Sequence, residues 1–195
     1  YISNASTGKM GYSLVRACLN RGAEVTLVSG PTHLSLKAWK EFCPLKVVDV
    51  VSSAAMCEAT LAAFEHADMA ILCAAVADFT PCTRADKKIK KQPGQEGMSI
   101  ELTTTTDIAA TLGKIKGKRQ LVGFALETHD ERANALRKLE SKNLDMIVLN
   151  SLQDRGAGFG VDTNKVTLFF ADGTKKDLPL LLKQEVADAI IAQLH

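Results

Sequence analysis

The sequence has few aromatic residues, almost no net charge and no long hydrophobic run. Only 5% of its 195 residues are aromatic, and 24 Lys and Arg against 22 Asp and Glu give a formal net charge of +2. So small a charge does not indicate nucleic acid or a membrane as a partner, and we expect neither. No apolar run approaches the roughly 20 residues of a membrane-spanning helix, and no signal peptide is recognisable, which favours a cytoplasmic protein.

Recognisable metal or disulfide patterns are also missing. The five cysteines are an odd number without CxxC spacing, which fits a reducing compartment better than a disulfide or zinc framework. The four histidines show no metal-ligand spacing, so we predict no metal site made of protein side chains. Magnesium carried by a nucleotide would need few protein ligands and would leave almost no mark in the sequence.

The sequence begins with a segment rich in small and hydroxyl-bearing residues, which precedes apolar residues at helical spacing. This segment is residues 1–11, YISNASTGKMG. It is not a Walker A motif, because Met10 follows Lys9 where Ser or Thr is needed, and it is not GxGxxG. Gly8 and Gly11 let the backbone approach a ligand, and the N-terminus of the following helix favours an anion. We predict a phosphate-binding loop; the alternative is a tight turn without a ligand.

Short apolar runs alternate with helical patterns, which predicts an α/β fold with a mainly parallel sheet. The predicted strands are residues 24–29, 46–50, 69–75, 120–125 and 146–149; after a first helix that follows Met10, the predicted helices are residues 53–66, 107–115, 130–142 and 181–194. A late β-hairpin is predicted from residue 166, with a turn at Asp172 and Gly173. We expect one domain over residues 1–195, with a further segment upstream of Tyr1, because a Rossmann-like loop needs a full strand before it.

Residues 79–97 form a long polar segment without a convincing apolar period. Prolines and glycines flank its KKIKK run, and a loop of this length is typically a functional lid or disordered. Four ammonium groups so close together are able to clamp a triphosphate or neutralise charge that builds up during phosphoryl transfer. The segment therefore predicts a basic flap loop, and a merely solvated face is the alternative.

Two further groups of residues are candidates for binding. Residues 74–78 (AAVAD) end an apolar strand at the edge where open α/β sheets bind ligands, and Asp78 is able to bind a hydroxyl, an amide or a metal there, or to cap the next loop. Lys138 and Lys142 lie four residues apart on one predicted helical face. With Asn143 and Asp145 they are candidates to meet a nucleotide, and a solvated helix end is the alternative.

Six motifs, in order along the chain, together resemble bacterial phosphopantothenoylcysteine synthetase. They are residues 2–11, 25–31, 74–78, 88–91, 122–128 and 142–145. The resemblance implies a Rossmann-like three-layer fold, a homodimer, and CTP-dependent ligation of 4′-phosphopantothenate to L-cysteine with Mg²⁺ in coenzyme A biosynthesis. In that family an acyl-cytidylate and pyrophosphate form first, and the cysteine amine then displaces CMP. The family is usually the C-terminal half of a bifunctional protein with a flavin-dependent decarboxylase.

The resemblance also implies roles for individual residues. Asn4 matches a catalytic asparagine that holds the acyl-cytidylate and polarises its carbonyl, and Lys88 matches a flap lysine needed when cysteine attacks. Substrate binding falls to Asn4, Ala74 and Ala75. The positions that match nucleotide-binding residues are Ser6, Thr7, Gly8, Lys9, Met10, Cys73, Ala74, Asp78, Thr106, Asp107, Ile108, Ala109, Phe124, Lys138 and Lys142.

Two positions depart from the family pattern. Thr7 replaces the usual serine and keeps the hydroxyl, and Thr106 stands where a proline is common.

Two other functions remain as alternatives. An NADP-dependent oxidoreductase fits the architecture, although the strand ending at Ser29 lacks the acidic residue that binds the ribose in NAD sites. A non-catalytic dimeric scaffold that assembles through the late hairpin is the second.

Overall fold

The computed structural model describes residues 4, 6–36, 39, 41, 43–83, 85–91, 93–127, 129–151 and 160–194. The helices are α1 (Lys9–Leu19), α2 (Ser53–Phe64), α3 (Ile108–Ile115), α4 (Glu131–Ser141) and α5 (Lys183–Ile191). The strands are β1 (Val25–Ser29), β2 (Leu45–Asp49), β3 (Met69–Leu72), β4 (Phe79–Pro81), β5 (Leu102–Thr104), β6 (Gln120–Glu127), β7 (Met146–Ser151), β8 (Thr163–Asn164), β9 (Val166–Phe170), β10 (Lys175–Asp177) and β11 (Leu181–Leu182).

The central sheet has five strands in the order β10, β9, β7, β6, β3. β3, β6 and β7 are parallel, as apolar runs alternating with helical patterns predict. β9 runs antiparallel to β7 and pairs with β10 after a turn at Gly173, which has a φ of 86°. The mainly parallel sheet and the late hairpin are both confirmed.

Helices cover both faces of this sheet, which gives the three layers that were expected. Successive residues of β7 point to opposite faces. Met146 and Val148 belong to the core under α1 and α5, whereas Ile147 and Leu149 belong to the core under α2, α3 and α4. Burial of both faces explains why residues 146–149 form an unbroken apolar run. No helix among the described residues is both long and apolar enough to span a bilayer.

β1 and β2 pair in parallel but, within the described part of the chain, form a sheet of their own. The remaining edge of β1 and the remaining edge of β3 both line one cavity. The strand predicted for residues 69–75 is shorter in the structure and ends at Leu72, so residues 73–77 are a loop without regular structure. This shortening places small residues at the mouth of the cavity.

A short antiparallel ribbon, β4 with β5, was not predicted for residues 79–104. Its base is closed where the Thr105 N–H donates to the Asp78 carbonyl oxygen, 2.9 Å away, and the Thr105 hydroxyl donates to the Ala77 carbonyl oxygen, 2.7 Å away. The lysine run therefore lies in the loop that joins the two strands of a hairpin. At the end of the chain, the predicted helix of residues 181–194 begins at Lys183, because Leu181 and Leu182 form β11 and pair with β8.

Candidate functional site

A cavity lies at the carboxyl ends of β3 and β6 and continues between the edges of β1 and β3 as far as the amino ends of these two strands. Its walls include every predicted site residue except Lys88. These residues are Asn4, Ser6, Thr7, Gly8, Lys9, Met10, Cys73, Ala74, Ala75, Asp78, Thr106, Asp107, Ile108, Ala109, Phe124, Lys138 and Lys142. Residues from five separate stretches of sequence thus line the same cavity.

The opening loop enters α1 through Gly8, which has a φ of 79°. This left-handed conformation is easy for glycine and strained for other residues. Gly8 has no side chain that could cap the first-turn N–H groups of α1, and the Thr32 hydroxyl secures the loop by donating to the Thr7 carbonyl oxygen, 3.0 Å away. The loop therefore presents backbone N–H groups and a helix N-terminus to the cavity, which suits an anionic ligand.

Asn4 connects the opening loop to the loop that follows β3. Its side-chain nitrogen donates to the carbonyl oxygens of Ala75 and Val76, at 3.1 and 3.2 Å. Because these three residues line the cavity, the Asn4 amide sets the spacing of two cavity walls. A carboxylate at position 4 would face two carbonyl oxygens without a proton to donate.

Lys9 and Lys183 bring two ammonium groups to the same short segment. Lys9 donates to the Asp162 carboxylate at 2.6 Å and to the Gly160 carbonyl oxygen at 3.3 Å. Lys183, at 7% relative exposure, donates to the Val161 carbonyl oxygen. Burial and the nearby Lys9 charge lower the pKa of Lys183 below its ordinary value. Sequence reasoning missed Lys183 and Asp162, since only the fold brings them to Lys9.

Cys73 follows β3 and lies beside this group. Burial raises the pKa of the Cys73 thiol to about 12, and the Lys183 charge opposes that shift only in part. The thiol is therefore protonated at neutral pH and is not a nucleophile there. Cys73 lines the cavity, and nucleotide binding there stays a prediction.

Two further lysines of the cavity wall, Lys138 and Lys142, are each held by a carboxylate. Lys138 lies 2.5 Å from the Glu127 Oε1 atom, and Lys142 lies 2.9 Å from the Asp107 Oδ2 atom. Asp107 is also the N-cap of α3 and accepts a hydrogen bond from the Ala110 N–H. Burial alone would raise the pKa of Asp107, but the Ala110 N–H and Lys142 outweigh it and lower that pKa.

Lys142 was predicted to be the last residue of a helix, but in the structure it lies just beyond α4 as the C-cap residue. α4 ends at Ser141, and Asn143 has a φ of 51°, the left-handed conformation common just after a helix. Asn143 and Asp145, which were expected to meet a nucleotide with the two lysines, do not line the cavity. The Asn143 amide donates to the Gly113 carbonyl oxygen at 2.8 Å, and the Asp145 carboxylate accepts from Lys116 and from the Leu121 N–H.

Lys88 is the one predicted site residue outside the cavity wall. It is exposed in the hairpin loop, and no hydrogen bond or ion pair joins it to another described residue. Its neighbour Ile89 does line the cavity, so the loop lies at the cavity rim.

As for metals, the described residues contain no group of three or more His, Cys, Asp or Glu side chains placed to hold an ion.

Comparison with known proteins gives consistent matches over the whole chain. The family model described as "DNA/pantothenate metabolism flavoprotein C-terminal domain" matches residues 1–195. A relative from an unknown prokaryotic organism, named "Cysteine/Cysteine sulfinic acid decarboxylase", is 53% identical over 195 residues, which is 100% of this chain and 53% of the relative. The "Coenzyme A biosynthesis bifunctional protein CoaBC" of Bacillus subtilis (strain 168) is 48% identical over 195 residues, 100% of this chain and 46% of the relative. The chain spans about half the length of these relatives.

Solved structures agree with the observed architecture. The C-terminal domain of a coenzyme A biosynthesis bifunctional protein CoaBC matches with a TM-score of 0.78 and 40% identity, over 97% of this chain and 82% of that one. A Cab2 mutant solved with phosphopantothenate-cysteine matches with a TM-score of 0.70 over 97% of this chain and 78% of its own. At 16% identity the Cab2 match concerns the fold alone.

Proposed function

The chain belongs to the DNA/pantothenate metabolism flavoprotein C-terminal domain family, and on that premise we propose that it joins 4′-phosphopantothenate to L-cysteine with CTP and Mg²⁺ in coenzyme A biosynthesis. The observation that carries the proposal is the single cavity in which a phosphate-binding loop, an asparagine and two carboxylate-held lysines meet. The relative from Bacillus subtilis, named as a coenzyme A biosynthesis bifunctional protein, supports the same pathway.

The proposed first step places two anions in contact. The carboxylate of 4′-phosphopantothenate attacks the α-phosphorus of CTP, a bond forms between carboxylate oxygen and phosphorus, and pyrophosphate leaves. Fixed cations and N–H groups reduce the repulsion between the carboxylate and the triphosphate and hold them in line. Lys9, the Gly8 turn and the start of α1 supply such groups at one wall of the cavity.

In the proposed second step the cysteine amine attacks the acyl carbon, CMP leaves with the electrons of the carbon–oxygen bond, and the new amide nitrogen loses one proton to solvent. Negative charge grows on the carbonyl oxygen during this attack, so an N–H or ammonium donor nearby lowers the barrier. Asn4 is in the cavity wall and Lys88 is in the loop at its rim. We assign Asn4 to holding the acyl-cytidylate and Lys88 to neutralising the charge that develops.

Magnesium enters this scheme as part of the nucleotide substrate. Mg²⁺ is commonly held by phosphates, waters and one or two carboxylates. Asp78 is an exposed carboxylate in the cavity wall and is the residue we assign to such a contact. A homodimer, a fused flavin-dependent decarboxylase and a cytoplasmic location belong to the same proposal.

The partial reaction without cysteine tests the proposal. Protein, Mg²⁺, CTP and 4′-phosphopantothenate should release pyrophosphate, and mass spectrometry should detect the acyl-cytidylate. A pyrophosphate signal that does not depend on 4′-phosphopantothenate would contradict the ligase and indicate simple CTP hydrolysis. In parallel, CTP but not NADPH should raise the melting temperature, because a bound ligand stabilises the folded state by linkage; the reverse result would favour the oxidoreductase.

The Asn4→Asp variant tests the assignment of the second step. Loss of the amide protons should slow amide formation by about 100-fold, the usual cost of removing one donor to a developing oxyanion, and should slow cytidylate formation much less. Because the change also removes the hydrogen bonds to the Ala75 and Val76 carbonyl oxygens, the melting temperature of the variant should fall as well. The measurement is rapid-quench analysis of pyrophosphate and CMP in one sample. Asn20→Asp, the same chemical change at an exposed position outside the cavity wall, serves as the control. Equal slowing of both steps in Asn4→Asp would remove Asn4 from the second step.

A further inference from the structure

We propose that Glu127 is a positioning residue that fixes the Lys138 ammonium group at the cavity wall and thereby sets the affinity for the nucleotide. The inference rests on the proposed function, because it concerns the substrate that Lys138 meets. Glu127 is the last residue of β6 and does not itself line the cavity, whereas Lys138 does. Glu127 can therefore influence a bound nucleotide only through its partner.

Both oxygens of the Glu127 carboxylate have hydrogen-bond partners. Oε1 lies 2.5 Å from the Lys138 Nζ atom, and Oε2 accepts from the Asn134 amide at 3.4 Å. Asn134 donates from the same amide nitrogen to the His129 carbonyl oxygen at 2.9 Å. The carboxylate is thus anchored to the start of α4, and it presents one fixed acceptor to Lys138, which lies 11 residues further along the chain.

Glu127 differs from the other carboxylates that pair with lysines of the cavity wall. The Glu127 side chain is 15% exposed, against 47% for Asp107 and 77% for Asp162. An ion pair withdrawn from water is screened less than an exposed one. Asp107 also caps α3, so its removal would change the fold as well as the charge. Of these three carboxylates, Glu127 is therefore the one best suited to test whether a carboxylate affects nucleotide binding only through its lysine partner.

The lysine depends on this anchor because its own side chain is flexible. A lysine loses rotamer entropy when it is fixed in one place. With Glu127 present, that cost is met before the nucleotide arrives; without Glu127, the nucleotide has to order Lys138 as it binds. Binding should weaken while the chemical steps, which occur at Asn4 and Lys88, keep their rates.

The test is steady-state kinetics of Glu127→Gln in the full-length protein, with CTP as the varied substrate. We expect the KM for CTP to rise about tenfold, equivalent to about 1.4 kcal/mol, with kcat and the KM for cysteine within about twofold of wild type, since the mutation removes binding common to both states. Asp177→Asn is the matched control, because Asp177 pairs with Lys175 on β10 outside the cavity. It should leave the KM for CTP unchanged.

A double-mutant cycle separates positioning from a general structural role. Lys138→Gln should raise the KM for CTP, and adding Glu127→Gln to it should raise that KM no further. An equal further increase in the double variant, or a wild-type KM in Glu127→Gln, would overturn the inference. Should Glu127→Gln not fold, Glu127→Asp decides: its shortened side chain should raise the KM, and a wild-type KM would overturn the inference. A wild-type protein without turnover would instead refute the proposed function, and this inference with it.

Discussion

Lysines lie near the cavity in two regions, which differ in whether a carboxylate pairs with the lysine charge. In the lysine run of the flap loop, residues 87–91, the lysines are exposed, and the described residues provide them with no hydrogen bond or ion pair. On the wall, Lys138 and Lys142 are half-buried and each is paired with a carboxylate. The wall lysines therefore have fixed positions and almost no net local charge, whereas the flap lysines keep their full charge in an unfixed position.

This difference matches two tasks in the proposed ligation. A fixed, charge-balanced lysine gives a directed hydrogen bond and acts equally on substrate and transition state, which is a contribution to binding. An unpaired lysine that reaches the substrate only late in the reaction acts on charge that exists only in the transition state, which is a contribution to rate. We therefore expect changes in the flap to lower kcat and changes in the wall to raise KM or lower stability.

The largest expected effect is that of Lys88→Gln in the flap. Loss of one cation at the developing negative charge should slow the cysteine-dependent step about 100-fold, while pyrophosphate release stays near wild type. The melting temperature should not change, because Lys88 is exposed and has no partner among the described residues. Rapid-quench kinetics measures both steps.

Lys90→Gln is the matched control, since it removes the same charge from the same exposed run. If Lys90→Gln slows the cysteine step as much as Lys88→Gln does, the flap acts by general charge and Lys88 has no special role. The flap lysines would then differ from the wall lysines only in how exposed their side chains are, and not in their role in the reaction.

The second largest effect should follow from Gly113→Ala, which disturbs the part of the cavity wall that carries Lys142. A Cβ atom at Gly113 would lie 2.0 Å from the carbonyl oxygen of Lys142. The backbone that carries Lys142 would have to move, and overpacking of this kind costs about 1–3 kcal/mol. Thermal unfolding should show a melting temperature lower by about 2–4 °C for each kcal/mol lost.

Gly97→Ala, at the end of the flap loop, is the control for this experiment. A Cβ atom there would meet nothing within 4 Å, so the melting temperature should equal that of wild type. An unchanged melting temperature in Gly113→Ala would show that the Lys142 segment adapts freely, and the wall would not be the rigid region described above.

The smallest effect is expected from Asp107→Asn, which keeps an N-cap residue but removes the charge beside Lys142. The Asp107 side chain is 47% exposed, so the pair contributes at most about 1 kcal/mol. Because the pKa of Asp107 is lowered in the folded state, its contribution is present above the unfolded pKa of about 3.9 and is lost as the pH falls through the folded pKa. The difference in melting temperature between wild type and variant should therefore be visible at pH 7 and shrink below about pH 4; a difference that is constant with pH would contradict a charge effect.

The sequence predicted those parts of the fold that have a strong period or a long apolar run. The alternating apolar segments gave β3, β6 and β7 and the helices around them, because residues buried on both faces of a parallel sheet leave an unbroken hydrophobic pattern. The ribbon of β4 and β5 was missed, since strands of three mostly exposed residues leave no pattern and are defined by their pairing. The end of α4 had a signal that was overlooked, an asparagine at the position where helices often end in a left-handed residue.

The candidate site was predicted as a set of residues but not as a network. Motif resemblance named Lys9, Lys138 and Lys142, whereas it named only one of the carboxylates that hold them. Lys9 and Asp162 are 153 positions apart in the sequence, and only the packing of α1 against α5 brings them together. Glu127 and Lys138 lie on a strand and a helix whose mutual angle no local pattern reveals. Long-range pairs of this kind follow from topology, so they emerge only from the structure.

The most direct test of the account is the complete reaction, with product identified by mass. Protein, Mg²⁺, 4′-phosphopantothenate and L-cysteine are incubated with CTP or, in parallel, with ATP, and CMP or AMP is followed together with 4′-phosphopantothenoylcysteine. The account predicts cysteine-dependent product in equal amount to CMP, with CTP strongly preferred over ATP. Formation of no 4′-phosphopantothenoylcysteine with either nucleotide would contradict the proposed ligase.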